Sequence, residues 1–250
     1  MSKYKTIIIS DVHLGMKESK VNEVIKFLTN NKCDTLILNG DIIDAWNLKR
    51  RGKWKKKYTN FFSTILKLVS HNKTKVTYIR GNHDDFLDEV LPFNIGTFEI
   101  KKEIILESGD KKFLVLHGDV FDDITSKVIW LSKLGDIGYN LLLTYNKWYN
   151  KQRMKSGKPY HSISQDIKNK VKNLVKIISK FENKAIKFAH HKKCDGIICG
   201  HTHKAGIYNI GDIIYMNCGD WVETLSALVE NKDGSWEIKY FYESKKKSNK

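Results

Sequence analysis

A chain of 250 residues can bury a substantial core in one large domain, or in one domain that carries an insertion. Its formal net charge of +16, from 44 basic and 28 acidic residues, implies attraction to something anionic: nucleic acid, an acidic membrane surface or a phosphorylated substrate. No run of about 18 uncharged apolar residues is present, which argues against a transmembrane helix. The start, Met1 to Ile9, runs directly into a β-rich segment without a signal-peptide pattern, so a cytoplasmic protein is expected.

Nearly all of the positive charge is lysine. Arginine occurs at positions 50, 51, 80 and 153, which weighs against base reading, since bidentate recognition of guanine favours arginine. A lysine-rich solvated surface is the plainer account of much of this charge. Cys33, Cys194, Cys199 and Cys218 lie in or beside buried-looking strands with no CxxC pair, and they read as reduced core residues.

Along the chain, Tyr4 to Ser10 is a continuous apolar run that reads as a buried strand, with Asp11-Val-His leaving its carboxyl end. Val21, Val24, Ile25 and Leu28 recur at helical spacing to about residue 31. A second strand, Asp34 to Asn39, then delivers Gly40-Asp41. This strand–helix–strand order predicts a parallel sheet in an α/β fold. Residues 49–57 hold seven basic residues in nine positions, with Trp54 among them. They read either as a solvated loop or as an anion- or membrane-facing patch. Phe61, Phe62, Ile65, Leu66 and Val69 predict another amphipathic helix, and the strand Val76 to Arg80 empties into Gly81-Asn82-His83-Asp84.

Ile104-Ile-Leu, Ser108-Gly-Asp-Lys and Phe113 to His117 predict an antiparallel hairpin that ends on a histidine. Residues from about 122 to 168 break the alternation with aromatic and apolar residues, Trp130, Tyr139, Leu141, Tyr145 and Trp148 among them, interleaved with lysines. They read as a helical hairpin packed on the core, or as a helical cap with an aromatic inner face and a basic edge, suited to an amphiphilic anion. A long amphipathic helix is expected over Ile163 to Phe181. A strand from Asp195 then ends in Gly200-His-Thr-His, and further β-rich runs cover Ile213–Asn217, Leu225–Val229 and Trp236–Tyr242. One domain over residues 1–243 is expected, with the cap as its insertion and a disordered basic tail at 244–250.

Five short polar motifs therefore follow five apolar strands: Asp11-Val-His13, Gly40-Asp41-Ile-Ile-Asp44, Gly81-Asn82-His83-Asp84, His117-Gly-Asp119 and Gly200-His201-Thr-His203. Asp-x-His at a strand end projects two donors from one edge, because side chains at i and i+2 lie on one side of extended backbone. The donor pool is imidazole and oxygen with no thiolate, which suits Mn²⁺, Fe or Zn²⁺ rather than a zinc–thiolate cluster. Seven candidates, Asp11, His13, Asp41, Asn82, His117, His201 and His203, exceed the need of one ion with an open position. They suffice for two ions sharing a carboxylate, about 3.5–4 Å apart, the arrangement for in-line displacement at phosphorus. His71, His161, His190 and His191 have no such setting and are left as ordinary histidines.

These residues resemble the calcineurin-like metallophosphoesterase superfamily, whose pattern is D-x-H, G-D-x-x-D, G-N-H-D/E, H-G-D and G-H-x-H. Every element is present between Ile9 and His203. The resemblance implies a four-layer α/β/β/α sandwich of two mixed sheets. It implies that Asp11, His13, Asp41 and His203 hold one metal, and that Asp41, Asn82, His117 and His201 hold the other, with Asp41 bridging. A metal-bridging hydroxide would attack phosphorus in line, His83 would act as the catalytic residue beside it, and Asp44 would orient His83. Asn82, His83 and His201 would also touch substrate.

The aromatic insertion, Gly138-Tyr-Asn-Leu-Leu-Leu and Asn217-Cys-Gly-Asp-Trp-Val-Glu are similar to the UDP-2,3-diacylglucosamine pyrophosphatase group of lipid A synthesis. That likeness implies Mn²⁺-dependent hydrolysis of the nucleotide-linked lipid to UMP and an acylated sugar 1-phosphate, with the enzyme peripheral on the cytoplasmic face of the inner membrane. The best-established members of that group carry Gly-Asn-Arg-Asp, where this chain has Gly81-Asn-His-Asp. The departure keeps open a sister branch that acts on another phosphodiester or on nucleic acid. An inactive scaffold for protein binding would predict eroded ligands, and none of the seven is missing.

Overall fold

A computed structural model of the chain describes residues 3–121 and 178–241. The expected cap at 122–168, most of the helix expected from 163, and the tail at 244–250 lie outside the described residues. The chain divides into two compact units, Met1–Val120 with Ala185–Lys250, and Phe121–Lys184. In the second unit the described residues are Phe121 and a helical stretch from 178, where Phe121 and Phe181 meet edge to face at 5.5 Å.

In the first unit, strands β1 (Tyr4–Ile9), β2 (Cys33–Asn39), β3 (Lys75–Ile79), β4 (Phe93–Ile95) and β5 (Phe98–Lys101) join β11 (Ser226–Glu230) and β12 (Trp236–Tyr240). They form a seven-stranded sheet in the order β12-β11-β1-β2-β3-β5-β4. Its centre, β1-β2-β3-β5, is parallel and its flanks are antiparallel. The second sheet has the order β6-β7-β8-β10-β9, from β6 (Glu103–Ser108), β7 (Lys111–Leu116), β8 (Gly196–Cys199), β9 (Gly206–Ile210) and β10 (Ile213–Asn217). Here β7, β8 and β10 are parallel, and the expected β6–β7 hairpin is antiparallel with Gly109 in its turn. The fold is α/β with two mixed sheets, as expected.

Both faces of the larger sheet are buried, which is why its strands read as unbroken apolar runs. Ile8, Ile37, Ile79 and Leu228 point to the second sheet and pack on Phe113, Val115, Ile198 and Met216. Their neighbours Ile7, Ile9, Leu36, Leu38, Val76 and Tyr78 point the other way, under α1 (Val21–Asn30) and α3 (Lys56–Asn72). Each of these helices supplies a stripe at three- and four-residue spacing: Val21, Val24 and Leu28 from α1, and Phe61, Ile65 and Leu68 from α3. A side chain buried this fully contributes about 1.5–3 kcal/mol relative to exposure. All four cysteines are free and buried. Among the described residues no helix is long and apolar enough to cross a membrane.

Two features differ from expectation. The basic run at 49–57 is not one loop, because a short helix, α2 (Ala45–Arg51), occupies its first part. That helix is polar and lacks an apolar period. Its start is set instead by Asp44, whose carboxylate accepts the Asn47 backbone N–H at 2.8 Å as N-cap. The segment after β3 also carries a 3₁₀ helix, Asp85–Val90, ahead of the short strands β4 and β5.

Candidate metal centre

The carboxyl ends of β1, β2, β3, β7 and β8 converge on one rim, and each releases a loop carrying candidate ligands. The β1 and β2 loops run side by side: Asp11 N–H donates to Gly40 O at 3.1 Å, His13 N–H to Asp41 O at 2.9 Å and Leu14 N–H to Ile42 O at 2.8 Å. The extended backbone expected for Asp-x-His is not found. Asp11 (φ 53°), His13 (φ 50°), Asp41 (φ 54°), His201 (φ 63°) and His203 (φ 57°) all adopt left-handed conformations. This region disfavours L-residues by about 1–2 kcal/mol each, although Asp and His enter it more readily than most. Alternating αL residues curl the loops so that their side chains turn inward together. Five strained positions at one rim mark a site whose surroundings enforce its geometry.

The side chains form two sets that share a carboxylate. In the first, His203 Nε2 is 3.1 Å and His13 Nε2 is 3.7 Å from Asp11 Oδ1. In the second, His117 Nε2 is 3.3 Å from Asp41 Oδ2, and His201 Nδ1 is 3.3 Å from His117 Nε2. His13 Nε2 also lies 3.8 Å from Asp41 Oδ2, so Asp41 faces both sets. One donor atom from each of Asp11, His13 and His203 falls within 4.8 Å of the others, and the same holds for Asp41, His117 and His201. His83 joins His13 and Asp41 in a third group of that kind, with its Nε2 at 3.9 Å from Asp41 Oδ2.

The donors fit divalent cations. Asp11 Oδ1 and Asn82 Oδ1 are buried with no hydrogen-bond partner. Buried oxygens left in that state are rare and call for an ion or water. His117 Nδ1 lies 2.9 Å from Asn39 O, and a carbonyl can only accept, so the proton sits on Nδ1 and the Nε2 lone pair is aimed inward. Glycines make the close approach possible. A Cβ on Gly81 would stand 2.3 Å from Asp41 Oδ1, and one on Gly40 would stand 2.3 Å from His117 Nδ1.

Burial works against every charge here, yet the opposed charges outweigh it. His117 and His13 hold Asp41 below the usual carboxylate range, and His203 and His13 hold Asp11 well below it. The carboxylates of Asp11, Asp44 and Asp41 lift His13 to about 10, and Asp41 lifts His117 well above its ordinary value. Such a cluster of matched acids and imidazoles binds protons or metal ions in competition.

Around the donors sits a second group of side chains. The buried Asp44 carboxylate faces His83 Nδ1 at 3.4 Å, off the line of a hydrogen bond, and His13 Nδ1 at 3.7 Å. Eight of the nine residues singled out from the sequence are therefore brought together, and the ninth, Asn82, lies between Gly81 and His83 on the same loop with its Oδ1 buried. His71 and His190 are exposed, paired with Ser70 and Asp212, and His191 is exposed. His161 lies outside the described residues.

Several supporting residues were not singled out from the sequence. Asp84 accepts the N–H groups of Gly81 and Ile42 and the Tyr78 hydroxyl. Asn217 donates to Gly200 O at 2.7 Å and accepts from Gly219 N–H at 2.9 Å, and Ser10 Oγ donates to Gly219 O at 2.9 Å. Trp46, half exposed on α2, lies with its ring centroid 4.5 Å from that of His83. A cleft of about 680 Å³ opens elsewhere, between the two sheets beside Thr35, Thr77, Glu99 and Leu106, and none of the candidate ligands lines it.

Residues 4–205 match the calcineurin-like phosphoesterase family. The chain belongs to that family. As a calcineurin-like phosphoesterase it is a metal-dependent hydrolase, in keeping with the two donor sets at its strand ends. It is similar to a protein named UDP-2,3-diacylglucosamine hydrolase in Escherichia fergusonii, with 23% identity over 224 residues, 82% of this chain and 84% of the relative. A protein of the same name in Escherichia coli O7:K1 matches at the same identity and coverage. Among solved structures, one characterised as a novel archaeal phosphodiesterase aligns over 94% of this chain and 98% of its own, at 15% identity and a TM-score of 0.44.

Proposed function

We propose that this phosphoesterase cleaves the diphosphate of UDP-2,3-diacylglucosamine, or of a closely related nucleotide-linked lipid, to UMP and an acylated sugar 1-phosphate. The observation that carries the reading is the match to UDP-2,3-diacylglucosamine hydrolases over four-fifths of both chains. In this reading Asp11, His13, Asp41 and His203 hold one divalent ion, and Asp41, Asn82, His117 and His201 hold the second, Mn²⁺ at both. The ions supply Lewis acidity to the phosphoryl oxygens and lower the pKa of water.

The chain's own groups do the rest. His83, at the rim with its side chain partly open to solvent, protonates the leaving phosphate oxygen from Nε2 as the P–O bond breaks. The Asp44 carboxylate stands behind Nδ1 and holds the ring. In this reading Asn82 and His201 also touch the phosphate, and Trp46 offers a flat face beside His83 for a base or an apolar group. Exposed Trp54, set among the lysines of 49–57, suits a peripheral contact with an anionic membrane surface, the cytoplasmic face of the inner membrane in this reading.

A second reading has a specific observation behind it. His83 stands where the lipid A enzymes carry arginine, and the net charge is +16, which together favour another phosphodiester or a nucleic acid. One substrate panel separates the two. The purified chain with Mn²⁺ is offered UDP-2,3-diacylglucosamine, UDP-N-acetylglucosamine, a cyclic nucleotide and single-stranded DNA. UMP release from the acylated substrate alone supports the first reading. Turnover of the generic phosphodiesters without it overturns that reading and leaves the hydrolase class intact.

A further inference from the structure

Arg80 stands immediately before the Gly81-Asn82-His83-Asp84 loop, and its guanidinium holds two carboxylates at once. Nη1 donates to Asp119 Oδ2, and Nε donates to Asp88 Oδ1 at 3.1 Å. Its backbone N–H is fixed as well, donating to Lys101 O at 3.0 Å. Asp119 lies two residues beyond His117, at the end of β7. The pair therefore runs from the end of β3 in the seven-stranded sheet to the end of β7 in the five-stranded sheet. Both side chains are 17% exposed, so the contact is sheltered and charge-assisted rather than a solvated surface pair.

The choice of residue is informative. Among 44 basic residues the chain spends arginine at four positions, and this is one of them. A guanidinium presents its donors in a rigid planar fork, which can face two carboxylates in fixed directions, whereas a lysine ammonium is a single rotating point. The stretch it anchors is packed without slack. A Cβ on Gly81 would stand 2.6 Å from the Asp41 backbone nitrogen and 2.9 Å from His117 Cδ2. Asn82 lies two residues after Arg80 and His117 two residues before Asp119, so the pair ties the two loops together just outside these donors.

We propose that the Arg80–Asp119 pair is a positioning clamp that sets the approach of Asn82 to His117. It governs the ion position built from Asp41, Asn82, His117 and His201, and leaves the position built on Asp11, His13 and His203 untouched. The clamp rests on the two-ion reading above. Loss of such a supporting contact typically weakens a metal site about 10–100-fold.

The test is titration of the metal-free, full-length protein with Mn²⁺, followed by calorimetry and by the spin coupling of the ion pair in paramagnetic resonance. The wild type takes up two ions. Arg80→Met weakens one of them at least about tenfold, keeps the other and loses the spin coupling. Asp119→Asn does the same and stands in if Arg80→Met does not fold. The double variant is no weaker than either single one, because both remove one interaction. Asp88→Asn, which cuts the other arm, leaves both ions bound. Arg80→Met that binds both ions as the wild type does, or that weakens both equally, overturns the clamp while the two-ion reading stands. A wild type that takes up no pair of ions overturns that reading and the clamp with it.

Discussion

Asp84 Oδ2 accepts the backbone N–H of Ile42 at 2.9 Å, a contact across 42 residues of chain that ties the loop carrying Asn82 to the loop carrying Asp41. The same carboxylate takes the Tyr78 hydroxyl at 2.6 Å and the Gly81 N–H. Burial, with the charge of Asp41 close by, still pushes Asp84 up to about 6. Its value to the protein is thus as an acceptor that closes two loops. Asp84→Ala strands three buried donors, each worth about 1–3 kcal/mol when unsatisfied. The variant should lose about 3 kcal/mol or more of stability, which corresponds to roughly 10 °C in Tm for a chain of this size. Denaturant unfolding in the presence of a chelator measures it, and a loss below about 1 kcal/mol would contradict the assigned role.

Metal uptake should expel protons. The carboxylates of Asp11, Asp44 and Asp41 outweigh burial and hold His13 at about 10, and His117 is also raised well above its ordinary value. His13 is therefore protonated in the metal-free protein at pH 7, and any proton on Nε2 of either ring must leave before that nitrogen can bind an ion. Affinity then rises with pH below about 10 and falls on acidification. Mn²⁺ titrations in two buffers of different ionisation enthalpy should report release of about one proton or more. An uptake with no proton release would show that these imidazoles are not ligands.

Much of this site was legible in the sequence because parallel strands buried on both faces read as apolar runs, and the polar residue that ends each run is conspicuous. That is how nine residues spread from Asp11 to His203 could be assigned to one rim. The rest was hidden for physical reasons. Strand β4 has three residues, all exposed, and β9 alternates weakly, so neither stands out from a loop. Helix α2 has no apolar stripe and owes its start to one capping carboxylate. Asp84, Asn217 and Ser10 act through bonds to distant backbone, and a single polar letter does not reveal its partner. The left-handed backbone at Asp11, His13, Asp41, His201 and His203 was likewise invisible, because it is imposed by the neighbouring loops rather than by these residues' own preferences.

Trp46 carries a different expectation. It is 53% exposed and lies against His83 at 4.5 Å between ring centroids with a 38° tilt. Stacking of an aromatic side chain on a base is worth about 1–3 kcal/mol. Trp46→Ala should therefore raise KM about tenfold for a nucleotide-linked substrate, with both ions retained and little change in kcat. Trp46→Phe should recover most of the loss. Equal KM values in the wild type and Trp46→Ala would remove the ring from the substrate's path.

His83 is the residue on which the catalytic reading turns, because its surroundings allow two roles. Its Nε2 is 3.9 Å from Asp41 Oδ2, near enough to be a ligand, whereas His117 Nε2 lies closer to the same oxygen at 3.3 Å. The bond that organises Asp41 comes from the His83 backbone N–H, at 2.8 Å, and survives truncation of the side chain. His83→Ala should accordingly keep both ions and lose about 10²–10⁴-fold in kcat, the range for general acid catalysis. The loss should shrink for substrates with a leaving group that needs no proton, such as p-nitrophenolate, since the imidazole then has little to deliver. Asp44→Asn should mimic the effect more weakly, by removing the negative charge behind Nδ1 while an amide oxygen still caps α2. A His83→Ala protein that drops one ion yet turns over as before would make His83 a ligand and move the acid elsewhere.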